Sequence, residues 1–125
     1  MLINLIKPLE CQRALGMENS AISDGQITAS SRWNADHDAS VARLHLQTVP
    51  GKAGAWAAAA NDGNQWLQID LGDQFTKVTR VATQGRHAYG QWVTKYNVQY
   101  SDDGVNFDYY RDEQGLAKVN ALSMC

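Results

Sequence analysis

The chain has 125 residues, 44% of them hydrophobic, and carries 11 basic and 13 acidic side chains for a net charge of -2. That length holds one hydrophobic core but not two, and scattered cations at this balance leave no electrostatic footprint for a nucleic-acid partner. No apolar run approaches the ~20 residues of a membrane-spanning helix, and residues 1–6 are too short for the apolar core of a secretory signal.

Residues 1–10 show no period, and Pro8 opposes a helix through them, so they read as a lead-in. Cys11 and Cys125 stand near opposite ends of the chain, a placement that fits either a bridge tying the termini or two separate thiols. There is no Asn-x-Ser/Thr sequence to mark a glycosylated surface. Short apolar pieces at 15–17 and 21–25 are broken by turn residues. They lead into Gln26-Ile27-Thr28-Ala29-Ser30-Ser31, a small strand ending in hydroxyls. Residues 32–40 are polar, carry Trp33 and the triplet Asp36-His37-Asp38, and read as a projecting loop. Alternation returns over 41–49, and Pro50-Gly51-Lys52-Ala53-Gly54 is a strong turn. Residues 55–60 are alanine-rich and favour a helix locally, but six residues fall short of the ~12–15 at which an isolated helix holds.

The clearest strand is 65–72, where Leu67, Ile69 and Leu71 alternate with Gln68 and Asp70. Asp62-Gly63 and Gly72-Asp73 bound it with turn chemistry, and the adjoining Trp56 and Trp66 are expected to line the core. Residues 77–83 alternate again and end at Gly85, where a sharp turn opens the loop His87-Ala88-Tyr89-Gly90. Thr94, Tyr96, Val98 and Tyr100 mark another half-buried strand, and Asp103-Gly104 sits where a hairpin turns toward Phe107, Tyr109 and Tyr110. Short strands with glycine-bearing turns and no helical period predict an all-β antiparallel sandwich or barrel.

Catalytic constellations are not visible. There is no nucleophile elbow, no zinc-binding histidine pair and no phosphate-cradling loop, and His37, His45 and His87 lack a serine or cysteine partner nearby in sequence. Asp36-His37-Asp38 resembles a metal cluster only in composition, since adjacent loop residues rarely converge on one ion.

Eight separated motifs, in order, resemble the discoidin family, also called the coagulation factor V/VIII type C domain. They are Leu15-Gly16-Met17-Glu18-Asn19, Ile27-Thr28-Ala29-Ser30-Ser31, Ala42-Arg43-Leu44, Ala55-Trp56, residues 65–72, Thr83-Gln84-Gly85-Arg86, Trp92-Val93-Thr94-Lys95-Tyr96 and Tyr100-Ser101-Asp102-Asp103-Gly104. The resemblance implies a jelly-roll β-barrel of two packed antiparallel sheets, of the galactose-binding-domain type, spanning 11–125. It also implies a domain that stops short of the family's last strands, with Cys125 too early to be the cysteine that closes on Cys11 and an exposed edge where strands are missing.

In the resembling family, ligands are held by loops at one end of the barrel, and 31–38, 47–54 and 86–91 align with them. Trp33 and Tyr89 are then the aromatic members, Asn34, Asp36, His37, His87 and Arg86 supply hydrogen bonds, and Lys52 a point charge. Structural alternatives exist for each: Trp33 folding back over the barrel end, Arg86 pairing with Asp36, and His37 as a solvated loop residue. Some relatives hold a structural calcium near the segment matching Asp24; no other cofactor is implied. The function implied is non-enzymatic, extracellular recognition or cell adhesion. Glycans or glycoproteins are the expected partners; anionic phospholipid headgroups, extracellular matrix protein, or service as the binding domain of a larger enzyme, are the alternatives. Only Trp33 and Tyr89 are bulky loop aromatics, set against Asp36 and Asp38, which favours carbohydrate over membrane.

Overall fold

A computed structural model describes residues 13–78 and 80–111; the lead-in, Cys11 and Cys125 lie outside the described residues. The described residues contain no α-helix. Four short strands are joined by loops and three 3-10 turns: β1 (Ile27–Ala29), β2 (Leu67–Ile69), β3 (Gln99–Tyr100) and β4 (Asp108–Tyr109). Both ladders are antiparallel. Ile27 faces Ile69 and Ala29 faces Leu67 in one, and Gln99 faces Tyr109 in the other.

The alternation at 65–72 forms a paired strand at its centre, but not the burial its period predicts, since Ile69 is exposed while Gln68 is half-buried. Ser30 N–H donates to Trp66 O at 3.0 Å and Asp70 N–H to Gln26 O at 2.8 Å, so pairing runs on past both ends of the β1–β2 ladder. Gln26 reinforces the entry: its Nε2 donates to Asp70 O at 2.8 Å while its Oε1 accepts from the Ser23 amide at 3.0 Å, capping the 3-10 turn Asp24–Gln26. Ile22, Ile27 and Ala39 form the core beside this ladder, with Met17, Ala29, Leu67 and Leu71 packed on it.

Arg43 is the polar centre of this half of the molecule. Its side chain is only 6% exposed. The guanidinium donates to Ser40 O at 3.1 Å, Met17 O at 2.7 Å and Ile22 O at 3.0 Å, and to Asp24 Oδ1 at 2.6 Å. A planar fork with five donors can serve carbonyls from several directions at once, which an ammonium cannot.

The hairpin at Asp103-Gly104 forms as its sequence predicts. Asp103 Oδ1 accepts from the amides of Val105 and Asn106 at 2.8 and 2.7 Å, and Gly104 supplies the positive φ of 71°. These amides hold the Asp103 carboxyl far below the usual carboxylate range.

Several expectations give way to tertiary contacts. Residues 41–49 are not a strand: they begin in the 3-10 turn Ala39–Val41, and His45 takes a φ of 59° with its amide donating to Gln84 Oε1 at 2.8 Å. Residues 55–60 are not helical, because their backbone hydrogen bonds run sideways. Trp33 N–H donates to Ala57 O at 2.8 Å and Ala59 N–H to Ser31 Oγ at 3.0 Å. Trp56 is half-buried with its indole N–H on Ser31 O at 2.8 Å, as a lining residue should be, whereas Trp66 is exposed rather than in the core. Residues 77, 78 and 80–83 join no ladder, and Phe75, Val78, Val81, Trp92, Val93 and Val105 remain exposed. Their alternation marks a face, but the described residues lay no second apolar layer against it.

Candidate functional site

The three loops singled out in the sequence meet. In the first, Asn34 is extended and caps the 3-10 turn Ala35–His37, its Oδ1 accepting from the Asp36 amide at 3.0 Å. A backbone amide can only donate, so the Asn34 atom facing it is the carbonyl oxygen. That same oxygen lies 2.7 Å from His37 Nδ1, which must therefore carry the hydrogen. His37 Nε2 is then a bare lone pair. It is buried and has no hydrogen-bond partner among the described residues.

His37 is 4% exposed, which corrects its reading as a solvated loop residue. The indole of Trp33, itself 62% exposed, stands 5.1 Å from the imidazole at a tilt of 46°. Burial and then the positive charge of Arg86 lower the His37 pKa from its ordinary value of 6.5, against a smaller opposing effect of Asp36. The neighbouring Asp38 turns away. Its carboxylate caps Ser40 N at 3.2 Å and pairs with Arg32 at 2.7 Å, contacts that hold its pKa down. The Asp36-His37-Asp38 triplet thus diverges, and no group of three His, Cys, Asp and Glu side chains placed to hold a metal occurs among the described residues. Asp24 lies outside this site on the turn before β1, its Oδ1 engaged by Arg43.

The second loop closes on Pro50-Gly51. Val49 and Lys52 exchange backbone hydrogen bonds of 3.0 and 2.9 Å, and Gly51 takes a φ of 77° at the position where such a turn requires it. Ala53 N–H donates to Asp36 O at 2.9 Å, joining this loop to the first. Thr48 joins it to the third, its Oγ1 reaching Ala53 O at 2.9 Å and His87 O at 3.3 Å while its amide donates to His87 Nδ1 at 3.3 Å. The third loop is cinched by Arg86 N–H to Gln91 O at 2.9 Å, with Ala88 at a φ of 62°. Arg86 does not form the alternative pair with Asp36. Its guanidinium donates to Gln91 Oε1 at 3.0 Å and to Ala53 O at 3.4 Å, with its carbon 3.8 Å from the centre of the Tyr89 ring.

Between the loops lies a cleft of about 350 Å³, lined by Asp36, His37, Thr48, Val49, Lys52 and Arg86 among others. All eight residues put forward as ligand contacts gather around it: Asp36, His37, Lys52 and Arg86 on its wall, Trp33 and Asn34 against His37, Tyr89 under Arg86, and His87 on Thr48. Two cations, one carboxylate and a hydroxyl can hold a polar ligand of mixed or negative charge, and Trp33 offers an aromatic face beside them. Thr48 and Gln91 escape sequence reasoning, since a lone threonine or glutamine in a loop carries no pattern. The Arg86 to Gln91 spacing across a glycine-bearing turn is the one signal that points to Gln91.

Asn34→Ala removes both the cap and the acceptor of His37 Nδ1–H, and is expected to cost about 1–2 kcal/mol in urea unfolding. A loss below about 0.3 kcal/mol would mean that water replaces the amide.

The described strands are antiparallel, and the F5/8 type C domain model matches residues 26–123. The chain is similar to lactadherin of Rattus norvegicus, 44% identical over 114 residues that make up 87% of this chain and 26% of that protein. It is also similar to coagulation factor V of Mus musculus, 42% identical over 112 residues, 85% of this chain and 5% of that one. Retinoschisin of Mus musculus is 38% identical over 118 residues, 88% of this chain and 51% of that one. The chain therefore spans about a quarter of lactadherin, a twentieth of factor V and half of retinoschisin. With residues 26–123 matched to that domain, this chain belongs to the F5/8 type C (discoidin) domain family and has its jelly-roll β-sandwich fold.

Proposed function

We propose that this domain is a non-enzymatic extracellular recognition and adhesion module that holds a carbohydrate or glycoprotein in the cleft framed by 31–38, 47–54 and 86–91. One observation carries the reading. Three loops far apart in sequence bring Asp36, Lys52 and Arg86 to the lining of one cleft, with an exposed Trp33 beside His37. Hydroxyls of a sugar need both acceptors and donors, which a carboxylate beside two cations provides, and the apolar face of a pyranose needs a flat ring. A cleft of this volume suits one or two rings rather than an extended polymer.

A second reading is an anionic phospholipid headgroup, favoured by Lys52, which has no ion pair among the described residues, and by Arg86 lining the same cleft. Asp36 in the cleft and the net charge of -2 weigh against it, as does Trp33 being the single indole carried by the three loops.

The test runs a glycan array beside co-sedimentation with phosphatidylserine-containing vesicles. Glycan binding is expected, and Trp33→Ala should weaken it about tenfold or more with no loss of stability, because the indole is exposed. Vesicle binding without glycan binding would replace the first reading with the second. Binding of neither by a folded protein would remove both.

A further inference from the structure

The Nε2 of His37 takes no part in the hydrogen bonds that join the loops. It is a buried acceptor with no partner among the described residues, on a side chain that lines the cleft yet is almost closed to solvent. The other ring nitrogen is committed to Asn34 Oδ1, so any proton taken up must go to Nε2. There it would create a charged N–H donor with nothing to receive it.

The groups around it do not relieve that cost. Arg86 approaches from the third loop with the same sign of charge, and Lys52 from the second. His87, also on the third loop, has its Nδ1 occupied by the Thr48 amide. In the first loop Asp38 is paired with Arg32, leaving Asp36 as the one opposing charge on the cleft wall, where its effect is smaller than that of burial or Arg86. His37 also sits where the loops are joined. Its amide donates to Asn34 O at 3.2 Å, its carbonyl accepts from Ala57 N at 3.5 Å, and Asp36 before it accepts from Ala53.

We propose that His37 is a proton-operated latch on the ligand-binding end: the three loops stay joined while its imidazole is neutral and come apart when the medium turns mildly acidic. The consequence for the ligand rests on the reading that these loops bind, and is release of a captured partner on acidification. The sign follows from linkage. With the opened loop titrating at the ordinary 6.5 and the closed loop below it, closure is fully favoured above 6.5 and is weakened as pH falls from there toward the closed-state pKa. The weakening approaches tenfold per pH unit in that window.

Hydrogen–deuterium exchange, corrected for the intrinsic pH dependence, reads this without any ligand. Amides of Trp33, His37, Ala53 and Ala57 should lose protection between pH 7.5 and 5.5 by a factor of several, with about tenfold the ceiling for one proton, while those of Ser30 and Asp70 at the β1–β2 ladder hold theirs. Asn34→Asp keeps the cap but sets a carboxylate on the imidazole, so it should raise the His37 pKa and flatten the loop's response. Should that variant not fold, NMR titration of the wild-type imidazole decides: a pKa at or above 6.5 overturns the latch, and one below it supports it. Loop protection that is flat with pH, or that falls equally in the Asn34→Asp protein, also overturns it. These readouts are separate from the glycan and vesicle assays, so loss of binding activity would leave the latch standing and a pH-insensitive loop would leave the binding reading standing. If both hold, glycan retention should drop by the same factor as the loop protection over this pH interval.

Discussion

Arg43→Ala is expected to lower the unfolding free energy by about 3 kcal/mol, because three backbone carbonyls lose their donor together. Met17 O, Ile22 O and Ser40 O all receive the guanidinium, and each carbonyl left without a partner in a part-buried setting costs on the order of 1 kcal/mol or more. The aliphatic stem also packs in a site where the side chain is only 6% exposed, so truncation adds a cavity. Arg43→Lys should recover little, since a single ammonium cannot reach three directions of acceptor. Asp24→Asn is the control. Its side chain is 70% exposed, and an ion pair with one end in water contributes less than about 1 kcal/mol. Urea unfolding of the three variants checks this, and an Asp24→Asn loss equal to that of Arg43→Ala would mean that charge, not carbonyl satisfaction, holds the segment together.

Gly54→Ala should cost about as much and should act on the cleft itself. At a φ of 70° an L side chain is strained to begin with, and a Cβ there would lie 2.8 Å from Thr48 N, 2.9 Å from Gln47 C and 3.0 Å from Leu46 O. All three are backbone atoms, which cannot swing aside as a flexible side chain would. The loop 47–54 must therefore move, carrying Lys52 and the Thr48 links to the third loop with it. Roughly 3 kcal/mol or more of stability and most of the ligand affinity are expected to be lost. Gly51→Ala separates the two causes, because Gly51 has a similar φ of 77° but open space around its Cβ position. It should cost only the strain of the backbone, about 1 kcal/mol. Equal losses at the two positions would show that close approach contributes nothing at Gly54.

The features legible in the sequence were those whose cause is local. Alternation at Leu67, Ile69 and Leu71 named a strand, Pro50-Gly51 and Asp103-Gly104 named turns, and both follow from backbone geometry that a few neighbouring residues determine. The loops at 31–38, 47–54 and 86–91 could be marked as a site because a family resemblance had already matched them to known positions. Local propensity then failed where distant segments compete for the same backbone groups. Residues 55–60 would rather be helical on their own, yet Trp33 and Ser31 take up the backbone hydrogen bonds of Ala57 and Ala59. Trp66 fails differently: lying next to a core strand does not decide which face of it is covered.

The residue types at each loop tip, and hence the chemistry available to a ligand, were determined by the sequence alone. Whether a given polar side chain would be buried was decided only by the tertiary structure. Arg43 lies in an ordinary-looking run yet becomes the donor to three carbonyls, and His37, in a polar stretch that reads as exposed, is enclosed with one ring nitrogen unmatched. The reason is physical. Burial and hydrogen-bond satisfaction depend on which segments meet, and segments such as 31–37 and 53–57 meet through backbone amides and carbonyls that every residue carries and no side-chain pattern announces.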